Sequence, residues 1–388
     1  MHAASLLDHF SALEDPRQAG KVLYPLPEIM LVVLCATLAG AEDFVEIRAW
    51  GDTKIGFLRR MLPFGRGIPS HDTLNDVMNA LPGAVFGVVF GAVFTAWVEG
   101  LREDAPDFAA PEVVAIDGKT SRRARRARRA RRGEGSALHM VSAWATRQRL
   151  VPGQEATGPK SNEINAIPAL LERLHRTGAL VTIDAMGTQT KIAEASLARG
   201  ADDLLALKDN QKSLAEAVAL FFDSPEAQAL PVFETTDADH GRAEIRRHRV
   251  SHDVAWLNGD RRAPGEPHFP GLKAIAMLEA TTERDGRTTT ARRFFLASLA
   301  LDARPLARAV RAHPRHREPP ATSVLDVVFH DDLMRLRTDY GPQNMATIKH
   351  MAMNLIREAP GKHSLKVRRK TAAWDTDDLK ALITRTAK

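Results

Sequence analysis

Through the first hundred residues apolar side chains recur at helical spacing, broken by short polar loops. Ser5 to Glu14 predicts a helix, and Asp15-Pro16-Arg17-Gln18-Ala19-Gly20-Lys21 a loop whose Pro and Gly interrupt the periodicity. A second helix is expected from near Pro27, with proline in the first turn, down an apolar run to Leu38. Ser70, followed by Thr73, Leu74, Val77 and Met78, marks another helix start, and Phe86 to Trp97 predicts a mostly buried helix. Arg102 to Pro111, with Pro106 among acids, reads as a linker.

Beyond Pro111 short apolar runs alternate with helical stretches, the pattern of a mixed α/β domain. Val113 to Asp117, Ala137 to Thr146 and Arg149 to Ala156 predict strands, and Ile164 to Leu174 a helix. Ala179 to Asp184 is a fourth strand, Lys191 to Arg199 a helix and Asp203 to Lys208 a fifth strand, so the order is β-β-β-α-β-α-β. From Phe233 to Leu299 the chain is strand-rich, with Glu244 to Val250, Lys273 to Thr282 and Arg292 to Leu299 as candidates. Helix returns from Ala303, most clearly over Gln343 to Glu358, which Pro360 and Gly361 terminate. This is the pattern of a β-rich insertion between two parts of one α/β core.

Composition adds constraints. At 388 residues two or three domains, or one with a large insertion, are expected, and 44% apolar with 26% charged residues is ordinary globular usage. One cysteine, Cys35, excludes a disulfide framework and is expected to be an inert core residue. The apolar run Ile29 to Gly40 is too short to cross a bilayer, and no charged-then-apolar leader opens the chain, so a soluble cytoplasmic protein without a membrane partner is expected. The net charge of +6 is weak support for a nucleic-acid partner, because eight arginines fall within Arg122 to Arg132. Removing those eight from the 54 basic residues leaves 46 against 48 acidic ones.

Asp117 and Asp184 each stand at the C-terminal end of an apolar strand, followed closely by a small residue. One such aspartate is more often a cap for the following turn. Two on adjacent strands favour function, because paired carboxylates there can hold two Mg²⁺ ions about 4 Å apart for phosphodiester chemistry. Mg²⁺ suits such a site, since it accepts a few carboxylates and keeps its waters. A third acid from a later helix is expected to complete it.

Several stretches resemble one family. They are Asp15-Pro16-Arg17, Ala115-Ile116-Asp117-Gly118-Lys119-Thr120, Leu138 to Trp144, Lys160-Ser161-Asn162-Glu163-Ile164, Thr182-Ile183-Asp184-Ala185-Met186, Leu207 to Gln211, His240-Gly241-Arg242 and Leu325 to Phe329. Together they are similar to the H-repeat-associated branch of the DDE-type insertion-sequence transposases, over nearly the whole chain. The resemblance implies an RNase H-like mixed-sheet catalytic core with a β-rich insertion, preceded by an all-helical N-terminal domain. Its expected divisions are 1–105, for binding DNA ends, 111–222 and 301–388 for the core, and 223–300 for the insertion. It further implies that Asp117 and Asp184 are the first two members of an acidic triad that binds Mg²⁺, with Mn²⁺ able to substitute. Double-stranded DNA, as element ends and target, is the implied partner. A homodimer on two ends and a bacterial nucleoid location follow from that reading.

DNA contacts are sought among the basic and amide residues. Lys119 is placed to reach a phosphate beside the metals, or to be solvated after a glycine turn. Lys208, Asn210 and Gln211 follow the fifth strand, where backbone contact with DNA and loop capping are both open. Arg242, Arg246, Arg247 and Arg249, with His240 and His248, form a basic strand suited to a phosphate track or to a charged sheet edge.

The third carboxylate is where this chain departs from the family. A His-Trp-x-Ile-Glu-Asn-x-Leu-His-Trp segment is expected before Leu325, but the chain reads His313-Pro314-Arg315-His316-Arg317-Glu318-Pro319-Pro320-Ala321-Thr322-Ser323, as a pair of compensating frameshifts would produce. Glu318 keeps the family's spacing to Val324 and is the candidate third ligand, although Pro319 and Pro320 disfavour helix before them. Asp326, Asp331 and Asp332 are nearby acids. The Arg-Arg-Ala repeat is expected to be a disordered basic loop between the first two strands. Three functions remain open: an active transposase impaired at its third ligand, a catalytically inactive DNA-binding remnant, and an RNase H-like nuclease unrelated to mobile DNA.

Overall fold

The computed structural model of the chain describes all residues except 1–5, 104–110, 126–136, 158–161, 175–176, 240–241, 259–266, 285, 314–320, 335, 337 and 385–388. The expected linker over 102–111 therefore lies largely outside the described residues. Nine strands are present among those described: β1 (Val113–Arg125), β2 (Ala137–Ala145), β3 (Leu150–Ala156), β4 (Leu180–Ile183), β5 (Asp202–Leu207), β6 (Phe233–Asp239), β7 (Arg242–Ser251), β8 (Ala274–Arg284) and β9 (Arg287–Ala297). The first helices are α1 (Leu6–Ser11), α2 (Leu26–Leu38), α3 (Phe44–Thr53), α4 (Ile55–Leu58), α5 (His71–Ala80) and α6 (Gly83–Glu103). Between and after the central strands come α7 (Glu163–Arg173), α8 (Thr190–Ala198), α9 (Lys212–Phe222), α10 (Pro225–Gln228), α11 (Ala255–Asn258) and α12 (Ala303–Ala312). The chain closes with α13 (Ala321–Phe329), α14 (Gly341–Glu358), α15 (Leu365–Trp374) and α16 (Thr376–Ile383). The β-β-β-α-β-α-β order expected of an RNase H-like core is present, and the fold is mixed α/β with a helical N-terminus.

Two compact units share the chain, one comprising 1–106, 118–160 and 319–388, the other 107–117 and 161–318. In the second unit the strand order is β1-β4-β5-β9-β8-β7-β6. β1 runs parallel to β4, with Val113 opposite Leu180 and Ile116 opposite Ile183, and β4 runs parallel to β5. Such a run must be buried on both faces, and all four residues of β4, Leu-Val-Thr-Ile, are. β9 pairs antiparallel with β5, Leu204 opposite Ala297, so the β-rich segment continues the sheet of β4 and β5. Leu306, Ala309 and Val310 of α12 pack on Leu180, Leu204, Val250 and Phe295. Their spacing leaves Arg304 and Arg308 exposed.

The first unit is built around α14, in which every residue from Gly341 to Ile356 is buried. Its polar residues bind backbone: the Asn344 amide donates to the carbonyls of Met78 and Leu81 at 2.8 and 2.7 Å, and Asn354 brackets both backbone groups of Val151 on β3. β2 and β3 form an antiparallel pair, and the residues of β1 from Gly118 onward belong to this unit too. The Asp15-Pro16-Arg17 motif is a local clasp, Arg17 holding both oxygens of Asp15 and the carbonyl of Tyr24. Among the described residues no single helix is long and apolar enough to cross a membrane.

Four expectations are corrected. Asp117 is not at the end of its strand, because β1 continues to Arg125 after leaving β4. Gly118 is consequently a strand residue rather than a turn, and the alternation it preserves sends Lys119 and Ser121 to one side and Thr120 to the other. The start of the arginine repeat, through Arg125, is extended strand rather than loop, and 126–136 lie outside the described residues. Finally β7 is not a sheet edge, since it pairs with β6 on one side and β8 on the other.

Candidate functional site

The matched pair Ile116 and Ile183 is followed in each segment by an aspartate, Asp117 on β1 and Asp184 after β4. Residues in register on parallel strands point to the same face, and Asp184 keeps an extended backbone at φ −72°, ψ 173°. Both aspartates are half-buried. The sheet thus sets Asp117 and Asp184 each one residue beyond the last matched pair of β1 and β4.

Asp184 also has the local role of a cap. Its Oδ1 accepts from the backbone N–H of Met186 at 3.1 Å and of Gly187 at 3.4 Å, closing a one-turn 3-10 helix over Ala185–Gly187. Gly187 is required there, because a Cβ would lie 2.3 Å from the Ile183 side chain. This turn is tied down from three sides. The Thr188 hydroxyl donates to the Ala206 carbonyl at 2.6 Å, the Asn210 amide to the Ala185 carbonyl, and the Gln211 amide to the Thr188 carbonyl at 2.9 Å. Asn210 and Gln211 therefore hold the loop that carries Asp184, which is the capping alternative for these two residues.

Asp184 borders a cavity of about 320 Å³, lined also by Lys208, Arg293 and His313 over an apolar floor that includes Phe295 and Val310. His313 ends α12 and joins Thr182 of β4, Nδ1 to Oγ1 at 3.0 Å. Three basic residues beside one of the paired carboxylates suit a phosphodiester, whose oxyanion needs cationic donors. Only Lys208 of the three was a sequence candidate. Nothing in the periodicity marks Arg293 or His313, which reach the cavity from β9 and α12 far along the chain.

Lys119 belongs to the first unit. Its ammonium binds the carboxylates of Asp326 and Asp331, the latter at 3.1 Å, and is only 12% exposed. Ser121 donates to Asp331 at 3.0 Å, and Lys349 of α14 lies 3.4 Å from the other Asp331 oxygen. Burial alone would raise the Asp331 carboxyl, but Lys349, Lys119 and the hydrogen bonds from Lys119 and Ser121 outweigh it and hold the group below its ordinary value. Burial pushes the Lys349 ammonium down against the pull of Asp331. This is a buried ion cluster joining β1 to α13, the short turn after it and α14. It carries the charge of Lys119 on protein carboxylates.

The basic strand β7 is similarly compensated. Arg246 is bidentate on Glu244, at 3.1 and 3.0 Å, and reaches Asp237 of β6 at 3.1 Å, while Arg247 pairs with Glu234 at 2.9 Å. His248 is buried, and burial with the nearby Arg246 and Arg311 pushes its imidazole down to about 4, so it is neutral at pH 7. The side chain of Arg242 and the whole of Glu318 lie outside the described residues. α13 begins at Ala321, after both prolines.

Asp117 and Asp184 fit a Mg²⁺ site in donor type, as two hard carboxylates at adjacent strand positions. Among the described residues no group of three or more His, Cys, Asp or Glu is placed to hold a metal.

Residues 109–300 match the model of the transposase DDE domain, and residues 7–98 that of the DDE_Tnp_1-associated domain. YhhI of Escherichia coli strain K12, named as H repeat-associated, is 34% identical over 393 residues, covering 99% of this chain and 98% of that one. "Inactive transposase YbfQ" of the same strain is 40% identical over 74 residues, covering 19% of this chain and 88% of its own. Among solved structures, piggyBac transposase in a synaptic complex with hairpin DNA aligns over 97% of this chain and 80% of that chain with a TM-score of 0.42 and 10% identity, a remote likeness. The chain belongs to the DDE transposase family. Within that family its relatives include H-repeat-associated proteins.

Proposed function

We propose that this chain binds the ends of its insertion element and cuts and rejoins DNA with Mg²⁺ held by Asp117 and Asp184. The observation that carries the reading is the register of β1 on β4, which sets the two aspartates one residue beyond a matched pair. A bound metal pair would supply activation of the attacking oxygen and stabilisation of the leaving oxygen. The chain's own residues orient the DNA: Lys208, Arg293 and His313 face the cavity beside Asp184 and hold a phosphodiester there, while Asn210 and Gln211 keep the Asp184 loop in place. Glu318 is the proposed third ligand, and a homodimer on two element ends is the proposed assembly.

The second reading, a DNA-binding remnant without catalysis, is favoured by one feature. Pro319 and Pro320 disfavour helix at Glu318, whereas a two-metal site needs its third ligand held to within about half an ångström by a rigid element. The test is cleavage of element ends with Mg²⁺. The chain as it stands is expected to cleave very weakly, and a chain carrying the family-like Trp-Gly-Ile-Glu-Asn-Arg-Leu-His-Trp segment over this window to cleave orders of magnitude faster. Asp117→Ala and Asp184→Ala should each abolish that gain. Cleavage by the chain as it stands at the active restored chain's rate would make Glu318 a working ligand and remove the remnant reading.

A further inference from the structure

A second cavity, of about 220 Å³, lies where α12 crosses β6 and β7 in the second unit and shares Val310 with the first cavity. Its polar lining is Arg246, Arg304, Arg308, Arg311, His248 and Thr235, and no carboxylate lines it among the described residues. The floor is apolar, built from Phe233, Leu278 and Val310.

The four guanidinium groups are not equivalent. Arg246 and Arg311 converge on the single carboxylate of Asp237, and Arg246 is also held by Glu244. Two cations thus share two acids. Arg304 and Arg308 stand one helical turn apart on α12, both exposed, and neither has an ion-pair partner among the described residues. The local charge is therefore positive by the two arginines at the rim.

The interior is also short of acceptors. Nε of Arg311 is a buried donor without a hydrogen-bond partner among the described residues. A buried donor left unmade is costly, and an oxyanion with several lone pairs is the group that relieves it while neutralising the rim. A cation or a neutral apolar ligand would leave the charge of Arg304 and Arg308 without an offset.

We propose that this cavity is an oxyanion site that takes a backbone phosphodiester of DNA, with Arg304 and Arg308 as its primary contacts. The proposal rests on the transposase reading for the identity of the polymer, and it moves DNA contact on this sheet from the internally paired arginines of β7 to the face of α12. The apolar floor accepts the sugar side of the nucleotide, and Thr235 offers a hydroxyl donor beside the phosphate. A phosphate of other origin presents the same chemistry, and the two are separated by measurement.

The experiment titrates the full chain with duplex DNA across a range of salt, for the wild type, the double variant Arg304→Ala with Arg308→Ala, and the double variant with lysine at both positions. Exposed arginine to alanine on a helix leaves folding unaffected. Each neutralised phosphate contributes about 0.9 to the slope of log affinity against log salt, so the alanine pair is expected to flatten it by about 0.9 and the lysine pair to restore it. Inorganic phosphate alone, titrated in parallel, is expected to bind weakly and to compete with DNA at the wild type only. An unchanged slope in the alanine pair overturns the proposal. Phosphate binding that is lost in the alanine pair while the DNA slope stays the same assigns the cavity to a small anion and overturns the DNA contact. A wild type that does not bind DNA overturns both this inference and the transposase reading, whereas a wild type that binds with a slope indifferent to the variants sinks this inference alone.

Discussion

Ile116 of β1 lies opposite Ile183 of β4 across two parallel strands, and the next residue in each segment is an aspartate. The relationship matters because a two-residue displacement of one strand would separate the carboxylates by about 7 Å, beyond the spacing of a shared metal pair. Register on a buried parallel strand is set by side-chain packing, and all of β4 is buried. The site thus derives its geometry from the core rather than from a loop.

The Asp184 turn adds a second level of control. Asn210→Ala and Gln211→Ala each remove one hydrogen bond to a backbone carbonyl of that loop, from Ala185 and Thr188. Each is expected to cost about 1 kcal/mol in denaturant unfolding. Amide exchange at Met186 and Gly187 should accelerate in both variants, and unchanged exchange would assign these amides to solvent.

The buried ion cluster predicts a graded loss. Asp331→Ala leaves Lys349, only 4% exposed, without its carboxylate, and should destabilise the chain by about 3–5 kcal/mol. Asp326 is 33% exposed, so Asp326→Ala leaves Lys119 bound to Asp331 and should cost less. Denaturant midpoints of the two variants check the order, and equal losses would show that Lys119 depends on both acids alike.

Asp203 on β5 supplies a pH test. Burial, and then the neighbouring Asp202, push its carboxyl up to about 7 from the ordinary 3.8. Between those values the folded chain keeps a proton that the unfolded chain releases, so stability falls as pH rises through about 4 to 7. Asp203→Asn removes that dependence. Relative to the wild type it should gain stability with rising pH, by a few kcal/mol at most, and level off above about 7. Thermal melts from pH 4 to 8 read the difference, and a constant offset across the range would contradict it.

Much of the core was legible in the sequence because its signals are local. The all-apolar run before Asp184 predicts β4 to within a residue, and the long periodic stretch ending at Pro360 predicts α14. Strand ends were less visible. Gly118 after Asp117 reads as a turn, yet β1 runs on, with Lys119 held by Asp326 and Asp331 at separations of 207 and 212 residues. No sequence window contains both ends of such a contact. β6 lacked a clear period because its inward residues include the polar Thr235 and Asp237, and the partners of Asp237 sit on β7 and α12. The same pairing hid the fate of Arg246, which looked available for DNA until the β6–β7 register placed it beside Asp237.

The central claim is that Asp117 and Asp184 bind the catalytic metal, and Mn²⁺ binding tests it without depending on cleavage. Electron paramagnetic resonance of free Mn²⁺ during titration of the chain reports bound metal directly. The wild type and Asp326→Asn are expected to bind Mn²⁺ equally, and Asp117→Asn and Asp184→Asn each to lose that binding while melting as the wild type does. Equal Mn²⁺ binding by all four proteins would contradict the assignment.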